Sequence, residues 1–114
     1  MASDFQFRAR FFSGDEVALG PGKVALLEAI ARTGSISAAA RDKGMSYRRA
    51  WQLVDTMNRC FRTPLVDTAT GGRDGGGTRL TDAGEAVIEA YRSMEGAAER
   101  AAARHIRAIR SRLA

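Results

Sequence analysis

Residues 34–54, GSISAAARDKGMSYRRAWQLV, contain two possible helix starts with one glycine between them, and this spacing constrains the fold more than any other feature. Ser35 or Ser37 can cap a short helix that ends at Gly44, a residue able to adopt the left-handed conformation of a helix C-terminus. Ser46 can then cap the next helix. Two helices joined by so short a turn predict a helix-turn-helix, a motif whose second helix enters the major groove of DNA.

The second of these helices opens with adjacent arginines, Arg48 and Arg49, where the positive end of the helix dipole disfavours cations. A DNA partner would offset that cost, because guanidinium groups bind phosphates and guanine edges, and one bidentate base contact contributes about 1–3 kcal/mol of discrimination. The alternative is an ordinary helical hairpin with a solvated basic face. The residues expected on the outward face are Tyr47, Arg48, Trp51, Gln52 and Asp55.

The apolar positions of this helix, which we expect to run to about Phe61, follow a helical period and predict its buried face. Trp51 borders that face, and two interpretations stay open. Either the indole packs the helix against the domain, or it contacts a thymine methyl group or a sugar. The predicted buried residues are Ala50, Leu53, Val54, Met57 and Phe61.

The composition favours a folded domain with an anionic partner. The 114 residues are 45% apolar and 27% charged, which is typical of a globular protein. Lys and Arg outnumber Asp and Glu by 18 to 13, and the isoelectric point is near 10.3. Only two of the basic residues are Lys, and Arg is better suited than Lys to bidentate recognition of phosphate and base edges.

Several other classes of protein are disfavoured. Cys60 is the only cysteine, so no internal disulfide can form, and we expect it to be a small core residue. No apolar run approaches the roughly 20 residues needed to cross a bilayer, and the N-terminus lacks a signal-peptide core. We therefore expect a cytoplasmic protein that does not bind membranes. His105 is the only histidine, and we expect no catalytic residues, no metal site, no cofactor and no enzymatic activity.

Before the helix-turn-helix, residues 4–20 predict a β-hairpin. Apolar and polar residues alternate from Phe5 to Phe12, which is typical of a strand, and Glu16 to Leu19 can return as a second one. The Gly20-Pro21 pair then starts a helix, because proline at the first helical position loses no hydrogen bond. Gly34 is expected to end that helix.

Residues 65–80 predict a second hairpin, with strands at 65–68 and 78–80 and five glycines between them. The loop lacks the Gly-Lys-Ser/Thr ending of a nucleotide-binding loop and precedes a strand instead of a helix. We interpret it as a wing whose glycines let the backbone approach DNA, while Arg73 and Arg79 reach phosphates or the minor groove. A hairpin loop without contacts is the alternative.

Residues 81–114 predict one long helix capped by Thr81. Some 30 residues at 1.5 Å each extend about 45–50 Å, longer than a compact domain of this size is wide. Its apolar stripe therefore predicts a dimerisation helix, although it could fold back on its own domain. The five arginines after Glu99 form a solvated face, or else contact flanking DNA or a partner subunit. The stripe consists of Val87, Tyr91, Met94, Ala98, Ala101, Ala102, Ile106, Ile109 and Leu113.

Two segments, LLEAIARTGSISAAARDKGMS and RLTDAGE, resemble the winged helix-turn-helix domain of LysR-type regulators. GMSYRRAWQLVDTMN with PLVDTATGGRDGGGTRLT is closer still to the N-terminal domain of the ModE family of molybdate-responsive regulators, and the likeness runs from about Phe5 to Met94. The resemblance implies a winged helix that dimerises through its long helix and N-terminal strands. It also implies that Ser46 to Gln52 reads the major groove and that Gly71 to Arg79 forms the wing.

One departure limits what the resemblance carries over. Full-length ModE has C-terminal oxyanion-binding domains, and this chain stops where they would begin. We therefore do not expect it to bind molybdate. The expectation is a stand-alone DNA-binding domain, either naturally short or truncated.

Together these features predict a mainly α fold with short β-strands. Residues 1–80 are expected to form a winged helix-turn-helix, with the helix-turn-helix at 35–61, and residues 81–114 the dimerisation helix. We expect a homodimer that binds double-stranded DNA sequence-specifically and regulates transcription. The alternative is a dimerisation or interaction module that modulates a full-length regulator. The expected DNA-binding residues are Ser46, Tyr47, Arg48, Arg49, Trp51, Gln52, Arg73 and Arg79.

Overall fold

Helices account for most of the fold in the computed structural model, which describes residues 4–68 and 77–114. The fold is mainly α with short β-strands, as predicted. The helices of these residues are α1 Pro21–Thr33, α2 Ile36–Asp42, α3 Tyr47–Cys60 and α4 Asp82–Arg110, and the strands are β1 Phe11–Ser13, β2 Glu16–Leu19, β3 Val66–Asp67 and β4 Arg79–Leu80.

Helix α1 forms the centre of the core. It starts with Pro21 at its first position, and Gly34 ends it in the left-handed conformation with φ 74°, so both predicted ends are confirmed. The helix contacts α2, α3 and α4, and it therefore supports the other three helices. Its fully buried residues are Val24, Leu26, Leu27, Ala29 and Ile30.

Side-chain caps define the two helices of the predicted helix-turn-helix. Ser35 Oγ accepts a hydrogen bond from the Ala38 N–H at 3.0 Å, so Ser35 rather than Ser37 is the cap of α2. Ser46 caps α3 in the same way. Between them Gly44 has φ +70°, a left-handed conformation that favours glycine and lets the chain turn sharply. The predicted turn is confirmed.

The N-terminal segment corrects one prediction. Strands β1 and β2 pair antiparallel, with Phe11 opposite Leu19 and an irregularity between Phe11 and Phe12. The strand predicted from Phe5 was wrong over residues 5–10, which lie in no strand of the described chain. The second predicted strand, at Glu16–Leu19, is confirmed.

Packing against α4 explains the alternation that suggested a strand in residues 5–10. Phe5 is half-buried and the residues after it alternate between exposed and half-buried. The Tyr91 hydroxyl donates a hydrogen bond to the Ala9 carbonyl oxygen at 2.8 Å. At the other end, Arg110 Nε lies 2.8 Å from the Asp4 carboxylate. A segment that packs one side on a helix shows the same period of two as a strand in a sheet.

Helix α4 extends beyond the core. Its 29 residues at 1.5 Å each span about 43 Å, and the molecule measures 56 × 29 × 24 Å. Tyr91 is buried and Met94 is partly buried against the core. Ile109 and Leu113, at the far end of the apolar stripe, are exposed. This end of the stripe is therefore not buried against the core of the described residues, and whether a second copy covers it stays a prediction.

Candidate nucleic-acid interface

The outward face of α3 presents side chains that the sequence assigned to DNA contact. Ala50, Val54 and Met57 are fully buried against the core. Because each residue turns a helix by about 100°, Arg48 and Gln52 lie on the opposite side, and both are exposed. An external partner can therefore reach these two side chains without displacing the core.

Two aromatic side chains occupy one edge of this face. The Tyr47 and Trp51 rings stand edge to face, with centroids 6.3 Å apart. Trp51 is 37% exposed and Tyr47 is 54% exposed. Trp51 is thus not a buried anchor of the helix, and the pair offers an apolar surface beside two polar side chains.

Arg49 lies at the opposite edge of α3. Its main-chain N–H donates to Ser46 Oγ at 3.0 Å, and its side chain lines a groove that Lys23 also lines. Arg48 and Arg49 are adjacent in the sequence, yet the turn of the helix sends their guanidinium groups to different surroundings.

The guanidinium groups of Arg48 and Arg49 carry no ion pair with a carboxylate of residues 4–68 and 77–114. Exposed ion pairs contribute only about 0–1 kcal/mol each, but they satisfy the guanidinium groups that make them. Arg48 and Arg49 instead stay available to an external anion. Arginines held by carboxylates of the same chain form the pairs Arg32–Asp42, Arg59–Glu16, Arg59–Asp55, Arg92–Glu28, Arg92–Glu95 and Arg110–Asp4.

Arg59 fastens the C-terminal end of α3 to the N-terminal hairpin. Its Nη1 and Nη2 donate to the Glu16 carboxylate at 3.1 and 3.3 Å. These hydrogen bonds and the charge of Arg59 hold the pKa of Glu16 below its ordinary value. Cys60 Sγ lies 3.7 Å from the same carboxylate. Cys60 is half-buried, so the expectation of a core residue was wrong.

Asn58, which the sequence analysis did not single out, joins α3 to the base of the predicted wing. Its Oδ1 accepts hydrogen bonds from the Leu65 and Val66 N–H groups at 2.9 and 3.1 Å. Its Nδ2 donates to the Val66 carbonyl oxygen at 3.1 Å. The only available signal was a polar residue one turn before the end of an amphipathic helix. These three bonds hold β3 against the helix that faces outward.

The start of α4 holds the residues just before β3 from the other side. Thr81 N–H donates to the Leu65 carbonyl oxygen at 3.0 Å, and Thr81 Oγ1 donates to the Pro64 carbonyl oxygen at 2.7 Å. Gly84 is buried so close to Leu65 that a Cβ there would overlap its carbonyl oxygen. The base of the hairpin is therefore clamped between α3 and α4.

Of the two predicted wing arginines, the structure describes Arg79. Arg79 is exposed on β4, and its backbone pairs with Asp67 of β3. Arg73 and most of the glycine-rich loop lie outside the described residues. The predicted strands at 65–68 and 78–80 are thus seen as the shorter strands β3 and β4.

The structure places Ser46 and the five α3 residues predicted to contact DNA together, all exposed, in the first two turns of that helix. Their contact with DNA stays a prediction. Within residues 4–68 and 77–114, no cluster of three or more His, Cys, Asp or Glu side chains has the geometry to hold a metal ion. No helix in this part of the chain is long and apolar enough to span a membrane.

Comparison with known families decides the class of this fold. The sequence profile described as "Bacterial regulatory helix-turn-helix protein, lysR family" matches residues 22–85, which is more than half of the chain. The chain belongs to this family. The match covers α1 after Pro21, the whole helix-turn-helix, the segment predicted to form the wing and the start of α4, so the LysR resemblance is confirmed.

Relatives of this LysR-family chain include proteins named for molybdenum. "Molybdenum-pterin-binding protein MopA" of Rhodobacter capsulatus is 49% identical over 83 residues, 73% of this chain and 31% of MopA. "Molybdenum transport protein ModE" of Azotobacter vinelandii is 46% identical over 92 residues, 79% of this chain and 34% of that protein. "DNA-binding transcriptional dual regulator ModE" of Escherichia coli K12 is 45% identical over 71 residues, 62% and 27% of the two chains. The chain thus spans about a third of the length of these relatives.

A solved structure supports the fold. The chain in "Crystal structure of CbnR_DBD-DNA complex" superposes with a TM-score of 0.59 at 23% identity, covering 76% of this chain and 94% of that one. The winged helix-turn-helix prediction is therefore confirmed. The chain is a helix-turn-helix DNA-binding domain of the LysR family, and it is similar in sequence to part of the ModE regulators.

Proposed function

We propose that two copies of this chain form a homodimer that binds a pseudo-palindromic DNA operator and regulates transcription. The observation that supports this most strongly is the start of α3, where Arg48 and Arg49 are exposed and unpaired within the described residues. A cationic helix start costs free energy in the free protein, and the phosphates and guanine edges of a major groove offset that cost.

Each exposed group of α3 has a role in this proposal. Arg48 and Gln52, opposite the buried stripe, read base edges, since Arg pairs with guanine and Gln with adenine. Tyr47 and Trp51 pack against thymine methyl groups or sugars. Ser46 keeps its hydroxyl on the Arg49 N–H and contacts the backbone through its position at the helix start.

The wing is proposed to contact DNA beside the half-site. Arg73 and Arg79 reach phosphates or the minor groove, where narrow A·T-rich stretches attract arginine. Asn58 and Thr81 clamp the base of this hairpin to α3 and α4, which supports a fixed distance between the wing and the recognition helix.

Dimerisation is proposed to cover an apolar surface shared by β1 and α4. Phe11 and Phe12 are 48% and 63% exposed, and they border a groove of about 590 Å³ that Phe61, Tyr91 and Met94 also line. Burying one such side chain contributes about 1.5–3 kcal/mol. A two-fold axis along this surface would set two recognition helices one DNA turn apart, or a multiple of it.

The proposed activity is binding without catalysis, in the cytoplasm, with double-stranded DNA and a second copy as the partners. Molybdate binding is proposed to be absent from this chain. The names of the relatives refer to molybdenum, but the chain spans only about a third of those proteins.

Selection of bound sequences from a randomised duplex library, at physiological salt, tests this function. The proposal predicts enrichment of a two-fold symmetric motif. Dimeric protein without any sequence enrichment would contradict it, and would favour the interaction module that forms mixed dimers with a full-length regulator.

A further inference from the structure

A second cationic surface lies next to the recognition helix. A groove of about 440 Å³ runs between the N-terminal segment, the start of α1 and the edge of α3. Its apolar floor includes Met45 and Leu53. The basic side chains that line it come from all three segments and are Arg8, Arg10, Lys23 and Arg49.

The charges of this groove are not neutralised by residues 4–68 and 77–114. Within these residues no Asp or Glu lines the groove, and its basic residues make no salt bridge with a carboxylate. Burial lowers the pKa of Lys23, and the neighbouring charge of Arg49 lowers it further, with a smaller effect of Arg10. Cys60 and, more weakly, Glu16 act in the opposite direction and raise the pKa of Lys23. The free protein therefore holds these cations together against their mutual repulsion.

The backbone adds to this positive potential. Helix α1 begins beside the groove with Gly20 as its cap residue, without a side-chain cap and without an acidic residue in its first turn. The Gly22 and Lys23 N–H groups belong to that turn, where helical N–H groups lack partners within the helix. This arrangement adds donors to a surface already defined by four cationic side chains.

We propose that this groove binds a phosphate group of the DNA backbone next to the half-site that α3 reads. The proposal rests on the proposed DNA binding. Arg49 connects the two surfaces, because it belongs to the recognition helix and lines the groove. Arg48 then serves base recognition and Arg49 serves the phosphate, a division that their sequence adjacency does not suggest. Phosphate contacts of this kind fix register without reading sequence.

Salt-dependent binding of the full chain to a selected duplex tests the groove. Log K falls linearly with log salt, and each lost phosphate contact makes this slope less steep by about 0.9. Lys23→Gln should therefore lose about 3.5-fold more affinity at 50 mM than at 200 mM salt. Arg10→Gln, at an exposed position, should behave alike and serves as a second variant if Lys23→Gln unfolds. The preferred sequence should stay unchanged in both.

Arg104→Gln on α4 is the matched control, since it removes one exposed positive charge outside the groove. It should leave the salt slope unchanged. If Arg104→Gln changes the salt slope as much as Lys23→Gln and Arg10→Gln do, net charge explains the effect and the proposal is overturned. Wild-type protein that binds no duplex would refute the DNA-binding function itself, whereas wild-type binding with unchanged slopes in both groove variants refutes only the groove.

Amide chemical shifts separate the two sources of a phosphate. Adding the duplex should shift the Gly22 and Lys23 amides, whereas inorganic phosphate at equal ionic strength should not. Shifts with inorganic phosphate, together with normal duplex binding by Lys23→Gln, would assign the groove to a free oxyanion and overturn the DNA-backbone assignment.

Discussion

Asn58 tests how β3, the base of the predicted wing, is held against α3. Its amide oxygen accepts hydrogen bonds from the N–H groups of Leu65 and Val66, and each of these residues is 1% exposed. Asn58→Ala removes the acceptor of both groups in a place that water hardly reaches. A buried donor left unsatisfied costs about 1–3 kcal/mol. The two unsatisfied N–H groups together should lower the free energy of unfolding by roughly 2–4 kcal/mol, allowing for a water that enters the space left by the amide.

Urea denaturation at one fixed protein concentration measures this loss, because the stability of a dimer depends on concentration. Thr56→Ala is the matched control. It removes a half-buried polar group from the same helix, but the hydrogen bond of that group within the described residues is with Arg59 and not with β3. The loss of stability in Thr56→Ala should stay below about 1 kcal/mol. Equal losses for the two variants, or a loss under about 1 kcal/mol for Asn58→Ala, would refute the reasoning.

A hydroxyl-radical footprint separates positioning from general destabilisation. Under conditions where Asn58→Ala remains folded, protection of the DNA by the wing should weaken, while protection by α3 should persist. Uniform weakening of both regions would show that Asn58 only stabilises the fold.

Three further substitutions test other parts of the account. Arg48→Ala should weaken binding to the selected operator by roughly 1–3 kcal/mol in a titration at fixed salt, and unchanged affinity would count against its role. Gly84→Ala should destabilise the protein by roughly 1–3 kcal/mol, because the added methyl group meets the Leu65 carbonyl oxygen. Gly22→Ala is the control, since there is open space around Gly22. Equal melting temperatures of the two variants would contradict the close packing of Gly84 on Leu65. Phe12→Ser should raise the dimer dissociation constant about tenfold or more in sedimentation equilibrium, since burial of a Phe contributes about 1.5–3 kcal/mol, and an unchanged constant would exclude β1 from the interface.

Local chemistry made the helix boundaries predictable. Pro21 and Gly34 bound α1, and Ser46 and Thr81 cap α3 and α4 through hydrogen bonds to main-chain N–H groups. Each signal acts within one turn of helix, so the surrounding fold does not alter it. The same locality explains why Gly44 marked the turn before any tertiary contact was known.

Tertiary contacts account for the predictions that were wrong. The alternation from Phe5 suggested a strand, but the partner of residues 5–10 is α4, which lies more than 70 residues away in the sequence. For Trp51 two interpretations stayed open instead, because it lies at the edge of a helical stripe, where periodicity alone does not decide between burial and exposure. Cys60 was assigned to the core by residue type, although its neighbour in the structure is Glu16.

The candidate site was predictable only in part. Tyr47, Arg48 and Gln52 followed from the helical period of a single segment. Asn58 and the groove with Lys23 and Arg49 could not be found in this way, because each depends on elements that are distant in the sequence. A hydrogen bond between a polar side chain and a backbone group distant in the sequence produces no periodic sequence pattern.

The central claim is a two-fold dimer that places one α3 in each half-site. The spacing between half-sites tests this claim most directly. The measurement compares affinities for the selected operator with 5 or 10 extra base pairs between its half-sites. A half-turn insertion rotates one half-site to the opposite face of the DNA, since a turn is about 10–10.5 base pairs. A two-fold dimer should bind the operator with the 5-base-pair insertion only as tightly as a single half-site. Equal affinity for the original operator and the 5-base-pair insertion would contradict the two-fold arrangement.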